Sequence, residues 1–222
     1  APAVQLTDRS VLEGLDALGS TGTWELDGRD VRLTNLDKVL FPANGDRPVA
    51  TKRDLLRYVV TMAPVILPYL RGRPLNLHRF PDGAGAKGFW QKARPDHAPD
   101  WLGRWRNADA DPGETEWYST VDSAAELAWL ANSGVLEFHP WTSTVADVHR
   151  PTWAYIDIDP GTSTTFEDVV LLAGLFRTAL DHLGVVGRPK VTGRRGIQIW
   201  IPITVGPTFD ETRGWVERLS KL

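Results

Sequence analysis

Asp157 and Asp159 alternate with Ile156 and Ile158 in the run Trp153–Asp159. In an extended strand such alternation puts both carboxylates on one face, roughly 7 Å apart at the backbone. Carboxylates so placed repel one another unless a divalent cation neutralises them, and two such ions can stabilise the attacking and leaving oxygens of a phosphoryl transfer. Pro160-Gly161 then turns the chain at the strand end, where ligands tend to bind in α/β sheets. Taken alone, the pair reads first as an exposed acidic strand end, and the motif by itself is weak. A second run, Lys190-Val191-Thr192-Gly193-Arg194-Arg195-Gly196, offers a hydroxyl, backbone amides freed by glycine and two forked guanidiniums. Those groups suit phosphate oxygens. A solvated turn is the plain alternative, and proximity to the aspartate pair favours phosphate.

The elements that must position these groups follow from patterning. Val135–His139 places Leu136 and Phe138 on one face and Glu137 and His139 on the other, while Ile197–Ile203 puts four isoleucines opposite Gln198 and Trp200. If these strands neighbour Trp153–Asp159, then His139, Asp157, Asp159 and Gln198 line a single polar face. Ser123 with Glu126 opens a helix that Gly134 ends, and Thr164 with Glu167 opens another that Gly184 closes. Its apolar face is expected to be Phe166, Val169, Val170, Ala173, Phe176, Leu180 and Leu183. Earlier in the chain, Thr23–Leu33 reads as a hairpin turning at Asp27-Gly28, and Thr51 with Asp54 starts a helix running to Pro64 along Leu55, Tyr58, Val59 and Met62.

Gly83-Ala84-Gly85-Ala86-Lys87-Gly88 matches a dinucleotide-binding pattern, but no suitable helix or downstream acid follows, so a hairpin loop is expected. Around it Arg79, Phe89, Trp90 and Lys92 interleave bases with aromatics, which suits stacking on an unpaired base beside phosphates, or core packing for the rings. His139 by itself reads as a satisfied buried or edge histidine, and His78, His97, His149 and His182 show no ligand spacing.

The 222 residues carry no cysteine, which excludes disulfides and thiolate zinc sites, and 42% hydrophobic content is ample for a core. No apolar run approaches the roughly 20 residues of a membrane span, and the first residues lack a secretory signal, so a soluble intracellular chain is expected. The formal net charge of −3 hides a strong asymmetry. From Arg47 to Arg106 twelve Lys or Arg face four Asp, a net +8, and from Asn107 to Val170 twelve acids face Arg150 alone, a net −11. A basic surface suits a phosphate backbone and an acidic one suits divalent cations, although both could be solvated faces.

In order along the chain, the blocks Leu33–Pro42, Thr51-Lys52, Gly72–Pro74, Arg79–Gly83, Trp129–Asn132, Leu136–Trp141, Asp157–Gly161 and Thr192–Gln198 resemble the polymerase domain of bacterial DNA ligase D, of the archaeo-eukaryotic primase superfamily. The resemblance spans about Leu33 to Ile203. It implies an α+β fold, a primase-like two-lobed catalytic core with a helix-backed, RRM-like mixed sheet, forming a single domain over 1–222 with lobes of roughly 1–118 and 119–222. It also implies template-dependent nucleotidyl transfer to DNA ends and short gaps in non-homologous end joining. The substrates would be NTPs or dNTPs, the cofactor Mn²⁺ or Mg²⁺ in a two-metal site, and the partners 5′-phosphorylated DNA, Ku and a DNA ligase, in a bacterial, nucleoid-associated cytoplasmic setting.

Carried over by position, Asp157 and Asp159 resemble metal ligands and catalytic residues. His139, Thr192, Gly193, Arg195 and Gln198 fall in the nucleotide-binding positions. Lys38 and Lys52 fall where a 5′-phosphate is gripped, and Trp90 where a ring stacks near the template, with Arg79 and Lys92 beside it on the DNA-binding side. Thr192, Arg195 and Gln198 stand where the family usually has Ser, Lys and His; glutamine cannot be cationic, so triphosphate affinity or nucleotide choice is expected to differ. About eight residues near Ala43–Ala50 look inserted between the two lysines. The family's third metal aspartate lies on a later strand, after a helix that Asp210–Leu222 only begins, so residues 1–222 alone are expected to be a truncated, inactive core. The alternatives are a stand-alone relative, a non-catalytic DNA-end-binding module of the same descent, and an α/β domain for a small phosphorylated ligand.

Overall fold

The computed structural model describes residues 7, 9–193, 195–204 and 206–221. It divides into two compact units, Ala1–Trp141 and Thr142–Leu222. The division falls beyond the expected boundary near residue 118 because strand Val135–Pro140 is committed to the first unit, pairing antiparallel with Leu75–Arg79. Every strand pairing among the described residues is antiparallel, so the α+β architecture is built from antiparallel sheets and not from the mixed sheet expected.

In the first unit, Asp27 and Gly28 both take positive φ (52° and 68°), the backbone a two-residue hairpin turn demands, and they join Gly22–Leu26 to Arg29–Leu33. Thr51 caps helix Lys52–Thr61 through a reciprocal capping box with Asp54. Met62 ends that helix and starts the next, Ala63–Leu70, with Pro64 in its first turn, where no amide hydrogen is missed. The buried stripe of Lys52–Thr61 is Leu56, Val59 and Val60, and Tyr58 faces solvent, a rotation from the expected face that lets the helix pack on the hairpin and on Ala124–Asn132. That last helix has the predicted Ser123/Glu126 box and is followed by Gly134 at φ 83°. Beside these helices a five-stranded sheet comprises Leu75–Arg79, Phe89–Gln91, Arg104–Arg106, Trp117–Ser119 and Val135–Pro140.

The second unit runs strand, helix, strand, strand, helix after a short hairpin of Ser143–Thr144 with Asp147–Pro151. Strand Ile197–Pro202 lies between Trp153–Ile158 and Arg188–Val191 and is antiparallel to both. Ile156, Ile158, Ile197, Ile199 and Ile201 are buried on one face, where Val169, Phe176 and Leu180 of helix Phe166–His182 and Trp215, Val216 and Leu219 of helix Phe209–Ser220 cover them. The cap of the longer helix is Thr165 with Asp168, one residue later than expected, because Thr165 is the residue with extended backbone that accepts from the third helical amide. Of its predicted apolar face, Phe166, Val170 and Leu183 are exposed. No described helix is long and apolar enough to cross a membrane.

Candidate functional site

With the isoleucines buried, alternation turns Asp157 and Asp159 to the open face of the second unit's sheet, and both are exposed. Gln198 is directly cross-strand from Asp157, and Lys190 is directly cross-strand from Gln198 on its other side. The Trp200 indole N–H donates to Gln198 Oε1 at 3.2 Å. Because an indole can only donate, the amide oxygen of Gln198 is turned towards Trp200 and its NH₂ group remains the group available to a ligand.

The loop after Lys190 is closed on itself and on the aspartate turn. Thr192 N–H donates to the Gly196 carbonyl at 3.1 Å, and Thr192 Oγ1 accepts from Gly196 N–H at 3.3 Å. Gly193 takes φ 85°, a conformation that suits glycine. Arg195 donates to the carbonyls of Gly161 (3.2 Å) and Thr164 (3.0 Å), which ties the loop to the turn that follows Asp159. A side-chain methyl at Gly196 would lie 2.8 Å from Asp159 Oδ1 and 2.9 Å from the Ile158 carbonyl, so glycine is what admits the loop beside the carboxylate. The second guanidinium of this motif, Arg194, lies outside the described residues. Two exposed carboxylates on one face supply hard oxygen donors of the kind that fits Mg²⁺ or Mn²⁺. Among the described residues no group of three His, Cys, Asp or Glu gathers to hold a metal.

His139 belongs to the first unit's sheet, and Asp157 and Gln198 to the second unit's, a strand order that alternation alone does not give. His139 Nε2 lies 2.9 Å from Glu137 Oε2, and the same oxygen lies 3.1 Å from His78 Nδ1. Burial alone would raise the Glu137 carboxyl, but hydrogen bonds from His139 and His78 hold it below the ordinary glutamate range. Trp90 stacks on His78 (4.4 Å, 6°) and meets the edge of His139 (4.7 Å), with over half of its own surface exposed. Arg79 is otherwise engaged: it donates to the Ser133 carbonyl at 2.9 Å and to Gln91 at 2.7 Å, and covers Phe89. Lys92 is exposed just beyond strand Phe89–Gln91.

Lys38 and Lys52 converge. Residues 42–49 form the loop of a hairpin in which Val39 pairs with Thr51, so the apparent insertion closes on itself and Lys52 N–H donates to the Lys38 carbonyl at 2.9 Å. Lys52 is buried, its ammonium bonded to the carbonyl of Asn132 (2.8 Å) at the end of helix Ala124–Asn132. Burial first, and then the Lys38 charge, hold the Lys52 amine below the ordinary lysine range. Lys38 is half-exposed and paired with exposed Asp82 at 2.9 Å. Such a surface pair is worth about 0–1 kcal/mol, so a phosphate dianion could displace Asp82 at little cost.

The family profile of the LigD primase-polymerase domain matches residues 51–222, more than three quarters of the chain. This chain belongs to the LigD primase-polymerase family. The bifunctional non-homologous end joining protein LigD of Bacillus subtilis (strain 168) is 32% identical over 192 residues, 86% of this chain and 30% of that protein. The multifunctional LigD of Mycolicibacterium smegmatis is 31% identical over 175 residues, 78% of this chain and 22% of that protein. The chain thus spans less than a third of these curated relatives. Among solved structures, the polymerase domain from Mycobacterium tuberculosis ligase D in complex with DNA superposes with a TM-score of 0.73 at 31% identity, covering 85% of this chain and 67% of that one.

In this LigD primase-polymerase domain the site contains groups that sequence patterning did not single out. Glu137 and His78 organise His139 and Trp90; Glu137 shares the alternation of His139, but the register that sets His78 opposite Glu137 exists only in the folded sheet. The first and last glycines of the Gly83–Gly88 loop are packing glycines. Gly83, at φ 93°, abuts the Leu40 carbonyl and Gly88 abuts His78 and Phe80, and a strand follows, which agrees with a hairpin loop in place of a dinucleotide site.

Proposed function

We propose that this domain performs template-dependent nucleotidyl transfer to DNA ends and short gaps. In that reaction a primer 3′-hydroxyl oxygen attacks the α-phosphorus of an NTP or dNTP, and diphosphate leaves. The observation that carries the reading is the open Asp157–Asp159 face with the Thr192–Gly196 loop fastened beside it by Arg195 and Gly196. When bound, Mg²⁺ or Mn²⁺ supplies charge neutralisation and alignment for the displacement.

The chain's own groups then divide the work. Asp157 and Asp159 hold the cation. Thr192, the amides near Gly193 and the guanidinium of Arg195 face triphosphate oxygens, for which Arg195 must exchange a carbonyl partner. Gln198 offers its NH₂ donors, which can recognise oxygen but cannot neutralise it, so discrimination among nucleotides shifts towards geometry. Within the first unit, Lys38 and Lys52 serve a 5′-phosphate, and Trp90 with Lys92 an adjacent unpaired base and its backbone. Arg79 supports that surface from beneath. Similarity to non-homologous end joining proteins supports a repair role, and Ku and a DNA ligase are the partners proposed for it.

The reading is tested by incubating the intact protein with gapped DNA, nucleotides and Mn²⁺ or Mg²⁺. Extension that needs the metal and is stronger with a 5′-phosphate in the gap is expected. Phosphate-dependent binding without extension in either metal would leave an end-binding module instead.

A further inference from the structure

The outer face of the second unit's sheet carries a built surface next to the carboxylates. Cross-strand register arranges it in rows. Asp157, Gln198 and Lys190 form one row, and Tyr155, Trp200 and Arg188 form the next. Paired residues in antiparallel strands project to the same side, so both rows face away from the isoleucine core. Within the second row the Tyr155 and Trp200 rings stack at 5.4 Å and 23°, and Trp153 meets Trp200 edge-on at 6.0 Å. The ammonium of Lys190 lies 5.9 Å from the Trp200 ring centroid. Tyr155 is 46% exposed, and Arg188 and Lys190 are exposed.

A cross-strand aromatic pair can exist only to stabilise a sheet. Three rings on the solvent side, flanked by two cations along one edge and in register with a carboxylate row, fit a more specific partner. Aromatic rings on an open sheet offer π-faces to unpaired bases, and the adjacent cations match a phosphodiester backbone. A duplex keeps its interior bases stacked on one another and offers such rings only its terminal pair.

We propose that this face binds single-stranded nucleic acid, with an unpaired base on the Tyr155–Trp200 platform and phosphates at Arg188 and Lys190. The bound strand leads towards the Asp157 row. Its place as the strand to be extended rests on the reading of Asp157 and Asp159 above, but binding itself does not require that reading, and the experiment separates the two. Trp200 then has two tasks, carrying a base and holding Gln198 through its indole N–H.

The test is fluorescence anisotropy of a labelled oligothymidylate lacking a 5′-phosphate, bound to the intact protein in EDTA without nucleotide, so that neither metal nor the phosphate pocket contributes. Tyr155→Ala is expected to weaken binding about 5- to 150-fold, the range that stacking of one base carries, while Tyr155→Phe stays within about twofold of wild type. Trp200→Phe is expected to retain most of the affinity that Trp200→Ala loses. Arg188→Gln should lower the slope of log affinity against log salt by about one phosphate contact. If Trp200→Ala fails to fold, the exposed Tyr155 decides alone. Tyr155→Ala binding within twofold of wild type overturns the proposal. So does a nucleoside triphosphate that competes as well as the oligonucleotide and is weakened equally by Tyr155→Ala, which would assign the platform to free nucleotide. Loss of oligonucleotide binding in Tyr155→Ala in a protein that never extends primers would uphold the platform and refute only the catalytic reading.

Discussion

Gly196→Ala probes the closest packing in the proposed metal-and-phosphate site. The added methyl would stand 2.8 Å from Asp159 Oδ1 and 2.9 Å from the Ile158 carbonyl oxygen. Carbon–oxygen contacts settle near about 3.3 Å or beyond, so each approach is short by roughly half an ångström. The carboxylate can swing aside, but the carbonyl belongs to the strand that carries it, next to the paired residues Ile158 and Ile197. Overpacking of this kind costs about 1–3 kcal/mol. For a chain of this size each 1 kcal/mol lowers Tm by about 2–4 °C, which predicts a fall of roughly 2–12 °C in calorimetry. Because relief comes from moving Asp159, Mn²⁺ affinity measured by titration calorimetry with a nucleoside triphosphate should also fall, by about tenfold or more. If Tm moves by less than about 1 °C and metal affinity is unchanged, the loop does not abut the carboxylate as described.

Four further outcomes follow from the first unit. Lys52→Ala should reduce the preference for 5′-phosphorylated over unphosphorylated gaps by about 10- to 150-fold, the worth of one charge-assisted hydrogen bond, and equal preference in mutant and wild type would remove Lys52 from the pocket. The folded-state pKa of Lys52 is lowered from 10.5, so between that lowered value and 10.5 the unfolded chain binds more protons; stability there should rise with pH, and Lys52→Met should abolish the rise in urea denaturation. Glu137 gives a slope of the same sign in the acid range: its lowered pKa stabilises the fold above the ordinary glutamate value of about 4.3 and the benefit is lost as pH falls through the folded-state value, so Glu137→Gln should flatten that acid loss. Thr51→Ala removes the cap of helix Lys52–Thr61 and should cost about 1 kcal/mol, or about 2–4 °C in Tm, with Thr51→Ser close to wild type.

Local chemistry made much of this legible in the sequence. The Asp27-Gly28 turn, the boxes at Thr51 and Ser123 and the alternation around Asp157 are set by nearest neighbours, and the fold realises all of them. The Thr165 cap came out one residue late because Thr164 and Thr165 are both competent and each has an acid three residues on; only backbone conformation distinguishes them. What the sequence left open is long-range. Alternation put His139 on a polar strand face but could not say that its strand pairs with Leu75–Arg79, nor that His78 would share its carboxylate partner. Arg79 looked like a phosphate ligand by residue type, and its partners, Ser133 and Gln91, are visible only in the packed sheet. The convergence of Lys38 and Lys52 likewise depends on the intervening hairpin.

The central claim is that Asp157 and Asp159 hold the metal of a nucleotidyl transfer and contribute little to holding DNA. The direct measurement is primer extension on gapped DNA by the intact protein, alongside DNA affinity, for Asp157→Asn and Asp159→Asn. Both substitutions are near-isosteric at exposed positions, so the fold should be unchanged. Extension is predicted to be abolished in each while affinity for the gap stays within about threefold, because carboxylates serve the cation and not the phosphate backbone. Extension at the wild-type rate in either variant would contradict the account.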